Sequence, residues 1–462
     1  MTLTAPRTQT TQDGDPAGAL NTDTLGALAD AFLENGTARL MQNAVSQTPV
    51  DDIALDRAIV TTTDHTFSTL LDDWTVTAQK KSGRCWMFAG LNLLRVGARE
   101  KMGIKQFEFS QNYTLFWDKL ERANYFYEAI IATADRDLDD RTVSFLLSGG
   151  SLMSDGGQWN MFINLIQKHG LVPKAMMPES ESSSNTQRMN SVLRAKLREG
   201  AMLLRERATA GDSAESLRAA KGEFLEAIHR ILSIHLGTPP TRFTWQWTDR
   251  NGEFHRDEET TPQEFAAKYV TLPVEDYVCL VHDPRPTSPM GRTFTVDFLG
   301  NVMGGARVKY LNVPVEVMKS VTQRVLESGE PVWFGCDVGK QMRRDLGLWD
   351  ARLFDYAGVY GTGFDLNKAQ RLLYGETQMT HAMLFTGVDV AADGQPRRWR
   401  VENSWGEENG VKGYFTMNDS WYDEYMFEIA ARPEMLPTEL RAALDEEPIV
   451  LPAWDPMGSL AR

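Results

Sequence analysis

Four side chains scattered along this chain could together cut an amide bond. Cys85 lies in QKKSGRCWMFAG (79–90), just after a Gly-containing turn and at the start of a dense apolar run. A thiol at a helix N-terminus feels the positive end of the helix dipole, which favours thiolate, the nucleophilic form. His381 heads the apolar run HAMLFTGV, and Asn403 lies in VENSWGEENG, 22 residues further on. An imidazole can take the thiol proton to give a thiolate–imidazolium pair, and an asparagine amide oxygen can accept its other N–H and hold the productive tautomer. Gln79, six residues before the thiol, offers an amide donor that would act with the Cys85 backbone N–H on the oxyanion. His381 would then protonate the leaving amine, while Trp405 shields the imidazole–asparagine bond from water. The chemistry is nucleophilic hydrolysis of a peptide bond, with no metal and no organic cofactor.

Such a set needs a helix to present the thiol and paired strands to present the other two groups. Trp86, Phe88, Leu91, Leu93, Leu94 and Val96 make a compact apolar run of helical length that starts near Cys85. Phe109–Ile131 reads as a second, aromatic-rich helical region packed on the first. The runs flanking ADGQPR read as two antiparallel strands joined by a hairpin, which would bring Asn403 beside His381. Residues 181–235 are charged, with Ala and Leu at helical spacing, and read as one or two long, largely solvated helices. Beyond about residue 241, FTWQW, YVCLV, TFTVDF, VKYLNV and PVWFGCDV are short β-branched and aromatic runs bounded by turn residues. Helices first and strands later imply an α+β class. The closing EEPIVLPAWDPMGSLAR shows neither period.

Each residue also has a plainer reading. A lone cysteine beside tryptophan is more often buried core than nucleophile. A histidine at a strand start is usually structural, and Asn-Ser-Trp-Gly can be a turn with an aromatic lid. Other motifs fall away. DRDLDD (135–140) lacks the glycine and the bidentate glutamate of a calcium loop. GVYGTGFD (358–365) has irregular glycines and no following helix, and neither HExxH nor GxSxG occurs.

The chain has 462 residues, with 48 basic and 63 acidic side chains and a net charge of −15. That balance disfavours non-specific attraction to nucleic acid or anionic membrane. Three cysteines, Cys85, Cys279 and Cys336, make a poor disulfide framework and suit a reducing compartment. No apolar run reaches membrane-spanning length, and MTLTAPRTQTTQDGDPAGALNTD has no basic-then-apolar leader, so a cytoplasmic location is expected.

Gln79-x-x-x-Gly83-x-Cys85-Trp86, His381-Ala382 and Asn403-Ser404-Trp405-Gly406 resemble the papain-like cysteine peptidases. The resemblance implies a papain-like α+β fold: a helical left domain, a β-barrel-like right domain and, here, a large helical insertion. It also implies that Gly157 of SDGGQW bonds the substrate backbone. Two features depart from the pattern. The first cysteine of C-G-[SA]-C-[WY] is Ser82, and Cys85 and His381 lie almost 300 residues apart rather than about 130–150. Both departures, with DHTFSTLLDDWTVTAQKKSGRCWMFAGLN and the ending WDPMGSLAR, resemble the aminopeptidase C and bleomycin hydrolase branch.

That resemblance implies the following organisation: a flexible tail (1–22), a helical peptidase part bearing the nucleophile (23–180), an insertion with oligomerisation helices and strands (181–330), a strand-rich part bearing His381 and Asn403 (331–450), and a C-terminal arm in the cleft (451–462). It implies a ring of six copies and peptide substrates. The terminal carboxylate, on Arg462 or on Ala461 after trimming, would pair with a substrate's α-ammonium, making a broad-specificity aminopeptidase. The alternatives are an endopeptidase whose tail lies outside the cleft, and a nucleic-acid binder, which the acidic charge opposes.

Overall fold

The computed structural model describes residues 18–71, 74–148 and 152–460, in an α+β arrangement. Two compact units emerge, one from the chain up to Thr62 with Arg352–Asp365, the other from Thr63–Ala351 with Leu366 onward. In the smaller unit, Asn21 opens the Thr22–Glu34 helix by accepting the Thr24 N–H at 2.8 Å. Asn35 opens Gly36–Val45 through the Ala38 N–H at 2.9 Å. These are asparagine N-caps, each satisfying a donor the first turn leaves open. Tyr356, on the returning segment, donates its hydroxyl to Asp51 at 2.6 Å.

The larger unit carries the candidate site. Its Cys85–Met102 helix is apolar on nearly every face, and Trp86, Met87, Leu91 and Leu93 are buried, as a helix inside a core must be. It stops at Gly103, whose φ of +66° is the left-handed C-cap conformation and whose N–H bonds the Glu100 carbonyl at 3.1 Å. The helices Gln111–Ala132 and Trp159–His169 pack beside it.

The charged stretch forms two helices, Gln187–Thr209 and Ala214–Leu236, packed on each other and on Gln111–Ala132. They are less solvated than their composition implied. Met189, Leu193, Leu197 and Leu204 form a fully buried stripe at helical spacing, and the charges lie on the remaining faces.

A sheet of 12 strands holds the other groups. The central strand His381–Val390 runs antiparallel to Val332–Cys336 on one side and to Pro396–Glu402 on the other. Nine of its ten residues are buried, since helices cover both faces, so its sequence is apolar without alternation. The hairpin expected at ADGQPR is present: Ala391 N–H donates to Gln395 at 2.8 Å, and Gly394 takes φ +84°. Val332–Cys336 continues through Met426–Ala431, Val278–Val281, Tyr310–Asn312 and Thr293–Val296 to a parallel edge strand, Ile449–Leu451.

Candidate active site

The sheet and the helix meet at the thiol. Cys85 is the first residue of its helix, and no side chain caps that terminus. The Cys85 and Trp86 N–H groups act on the sulfur, whereas those of Met87 and Phe88 bond the Arg84 carbonyl at 3.1 and 3.0 Å. Ala382, second residue of the central strand, donates its backbone N–H to Cys85 Sγ at 3.4 Å. His381, the first residue of that strand, pairs opposite Cys336 and is 2% exposed. Register with Val332–Cys336 thus sets where the imidazole stands.

The hairpin brings Asn403 back to the histidine, with His381 Nε2 2.9 Å from Asn403 Oδ1. The same oxygen accepts the Ser404 backbone N–H at 2.7 Å, which fixes the amide with its oxygen towards the ring. Nε2 must therefore carry hydrogen, and Nδ1 keeps the lone pair that can take a proton. Trp405 covers the imidazole with ring centroids 5.0 Å apart, and the Arg344 guanidinium lies over the indole at 4.2 Å.

Gln79 joins the group through a short antiparallel bridge between Ala78 and Trp405. Its N–H donates to the Ser404 carbonyl at 2.8 Å. Its side-chain oxygen accepts the Ser404 hydroxyl at 2.6 Å, and its Nε2 donates one hydrogen to the Ser82 carbonyl at 2.5 Å. The amide is thereby oriented with its second N–H unused by these bonds, the group an oxyanion would need.

The turn before the thiol is held by groups that lie far away in sequence. Arg84, fully buried, grips Glu179 with two nitrogens at 3.0 and 2.7 Å and donates to Ser82 Oγ at 2.9 Å. Asp155 accepts the Gly83 N–H at 3.1 Å, Lys119 at 2.7 Å and Asn190 at 2.7 Å, and also bonds Thr186. Burial alone would raise its carboxyl, but Lys119, Thr186 and Asn190 outweigh that and hold it well below the usual carboxylate range. Trp86, read as packing, also donates its indole N–H to the Asp155 carbonyl at 2.6 Å. A Cβ on Gly157 would fall 2.5 Å from that indole, so only glycine lets the 155–157 backbone lie this close.

Glu402, the residue before Asn403, is equally buried. It accepts Trp74 at 2.5 Å, Asn92 at 2.8 Å and Arg95 at 2.8 Å. Asn92 and Arg95 belong to the Cys85 helix, so this carboxylate ties that helix to the strand leading to Asn403. The local motifs could have shown Ser404; the partners of Arg84, Asp155 and Glu402 have no local signal.

Electrostatics at the sulfur are mixed. Burial pushes the Cys85 thiol up to about 12, while the N–H groups of Ala382, Trp86 and Cys85 itself pull the other way. A thiolate at neutral pH in this setting needs a cation beside it, and His381 directly precedes Ala382, whose N–H reaches the sulfur.

A cavity of about 390 Å³ is walled by Gln378, Met379 and Thr380, the residues just before His381 in the chain, and by Ala453–Pro456 and Gly458–Leu460. Cys85, His381, Asn403 and Gln79 are not among its lining residues. The Ser459 carbonyl accepts Gln158 Nε2 at 2.5 Å, one residue past Gly157. Ala461 and Arg462 lie outside the described residues. The structure thus brings Cys85, His381–Ala382, Asn403 and Gln79 together, with Gly157 stacked on Trp86.

The sequence profile of the Peptidase C1-like family matches residues 19–458. An aminopeptidase C of Lactobacillus delbrueckii subsp. lactis is 41% identical over 439 residues, covering 94% of each chain. A bleomycin hydrolase of Homo sapiens is 41% identical over 455 residues, covering 96% of this chain and 100% of the relative. The solved structure of PepW from Lactobacillus rhamnosis superposes with a TM-score of 0.94 at 42% identity, covering 96% of this chain and all of that one.

Proposed function

The chain belongs to the Peptidase C1-like family and is a papain-like cysteine aminopeptidase; from that premise we propose that Cys85, His381, Asn403 and Gln79 carry the reaction. The observation behind this reading is the convergence at the head of one strand: His381 held on Asn403 and Ala382 donating to Cys85 Sγ.

Cys85 gives its proton to His381 Nδ1, and the thiolate attacks the carbonyl carbon of the substrate's first peptide bond. The C=O electron pair moves to oxygen, where the Cys85 N–H and Gln79 Nε2 receive it. As the oxyanion collapses, the C–N bond breaks and His381 returns its proton to the departing amine. Water, deprotonated by the same nitrogen, then attacks the thioester; the C–S bond breaks and the thiol is restored. Gly157 bonds the substrate backbone in this reading, on a segment that Trp86 holds in place.

The chain end sets which bond is cut. A carboxylate on Arg462, or on Ala461 if the last residue is removed, pairs with the substrate's α-ammonium and closes the cleft to longer peptides. The support is the clasp of Ser459 beside Gly157 and the cavity shared with Thr380. Side-chain specificity is broad in this reading. A ring of six copies is proposed on the resemblance, and the exposed Leu25, Leu28 and Leu33 of Thr22–Glu34 offer apolar contact surface for it. Among the described residues no helix is long and apolar enough to cross a membrane, in keeping with a proposed cytoplasmic site of action.

The test compares an aminoacyl reporter amide with its N-acetylated form. Wild type should cleave the first and spare the second, and Cys85→Ala should cleave neither. Equal cleavage by Cys85→Ala would overturn the mechanism; equal cleavage of both substrates by wild type would overturn the exopeptidase reading.

A further inference from the structure

The end of the chain is tied down well before it reaches the cleft. Ile449–Leu451 pairs in parallel with Thr293–Val296, and Asp297 N–H donates to the Leu451 carbonyl at 2.9 Å. Trp454 stacks under the Arg141 guanidinium at 4.0 Å. Asp455 then takes both terminal nitrogens of Arg285, at 2.8 and 3.1 Å. Arg285 is 7% exposed and is itself fixed by Asp283, which accepts its Nε at 2.9 Å and a terminal nitrogen at 2.7 Å. Four residues later Ser459 is clasped from two sides: its carbonyl accepts Gln158 at 2.5 Å, and its hydroxyl donates to Gln378 Oε1 at 2.8 Å.

These two fixings differ in kind. The Ser459 clasp consists of two single hydrogen bonds, from Gln158, the residue after Gly157, and to Gln378, three residues before His381. The Arg285–Asp455 contact is a forked, charge-assisted pair with both side chains 10% exposed or less, which fixes direction as well as distance. Its position in the chain matters because Asp455 lies only four residues before the clasped Ser459. A shift of the arm by one residue moves its end by about 3.3–3.6 Å. An ion pair made at contact distance loses its hydrogen bonds over such a displacement.

We infer that Arg285 and Asp455 are specificity-determining residues that set the register of the C-terminal arm, and so decide that a peptide is taken by its free α-amino end. This rests on the reading that the arm gates the cleft. Neither residue touches substrate; both act through the arm. Loss of the pair lets the arm slide or lift, weakening capture of the α-ammonium and admitting chains blocked at the N-terminus.

The test uses the full-length protein and one peptide in free and N-acetylated forms. Asp455→Asn keeps the acceptor for the Met457 N–H, which Asp455 Oδ1 binds at 2.9 Å, and leaves Arg285 on Asp283, so folding is little disturbed. It should raise the ratio of kcat/KM for acetylated over free peptide about tenfold or more. KM for the free peptide should rise while kcat changes little; a merely structural defect would lower kcat for both substrates in proportion. Arg285→Lys, which keeps the charge but loses the fork, should move the ratio the same way. Deletion of residues 459–462 sets the upper bound. If the deletion raises the ratio and both point variants stay at the wild-type value, the register role is wrong. If the deletion itself leaves the ratio unchanged, the gating reading falls and this inference falls with it.

Discussion

The Ser404 hydroxyl donates to Gln79 Oε1 at 2.6 Å, while the Ser404 backbone N–H donates to Asn403 Oδ1 at 2.7 Å. One residue therefore orients both amides of the site, the one beside the imidazole and the one beside the nucleophile. Its hydroxyl should matter only through Gln79. Gln79→Ala should lower kcat about 10²-fold, the usual cost of losing an oxyanion donor, and Ser404→Ala roughly three- to tenfold. In the double variant the Ser404 change should cost almost nothing further. Additive losses in a double-mutant cycle would show that Ser404 acts elsewhere.

The thiol makes the role of the imidazole measurable. Burial raises Cys85 to about 12, so a lone thiol would ionise only as pH climbs into the strongly alkaline range. Paired with imidazolium, it carries negative charge at neutral pH, between two macroscopic pKa values that belong to the pair. Wild type should therefore show a bell-shaped rate profile, and thiolate absorbance near neutrality that Cys85→Ser lacks. In His381→Ala that absorbance should appear only as pH rises towards the alkaline limit. A wild-type thiolate absorbance that is absent near neutrality and appears only towards the alkaline limit, as in His381→Ala, would disprove the pairing.

The groups that converge at the site were legible in the sequence for a physical reason. Nucleophile, base and orienting amide must be of particular types, and each lies in a short local motif with its neighbours. The α+β class followed from the order of helical and strand-like runs. The supports were not legible. Arg84 meets Glu179 and Glu402 meets Arg95 across long stretches of chain, and a charged residue does not announce a distant partner. Ile449–Leu451 was missed because three residues are too few to show alternation, and its parallel partner lies at Thr293–Val296. The helices Gln187–Thr209 and Ala214–Leu236 looked solvated because their charges outnumber one apolar stripe, and the stripe is what packs.

Gly157 gives a steric prediction. A methyl group there would lie 2.5 Å from the Trp86 ring. The ring cannot easily retreat, because its N–H is bonded to Asp155 and its edge packs on Phe162 with centroids 6.5 Å apart. Gly157→Ala should thus displace the backbone rather than the indole. We expect about 1–3 kcal/mol of destabilisation, the usual range for overpacking, read from thermal unfolding. KM should rise several-fold because the displaced backbone is the one assigned to the substrate. Unchanged KM with reduced stability would remove Gly157 from substrate binding and leave it a packing residue.

Glu428 gives a prediction about stability. It lies on the Met426–Ala431 strand, 2% exposed, and burial pushes its carboxyl up to about 8, with Cys279 opposing. Unfolding returns it to an ordinary value near 4.5. Between these values the folded state holds the proton and the unfolded state releases it, so rising pH favours unfolding. Each pH unit inside this window should cost wild type up to about 1.4 kcal/mol. Lys368, lowered to about 7 by burial, acts in the opposite sense above that pH, so the comparison must isolate Glu428. Glu428→Gln removes only the carboxyl titration. Its stability relative to wild type, from denaturant midpoints, should therefore climb from pH 5 to pH 8 and then level off. A difference that stays constant over that range would mean the carboxyl is already ionised in the fold, stabilised by a cation that this reading does not include.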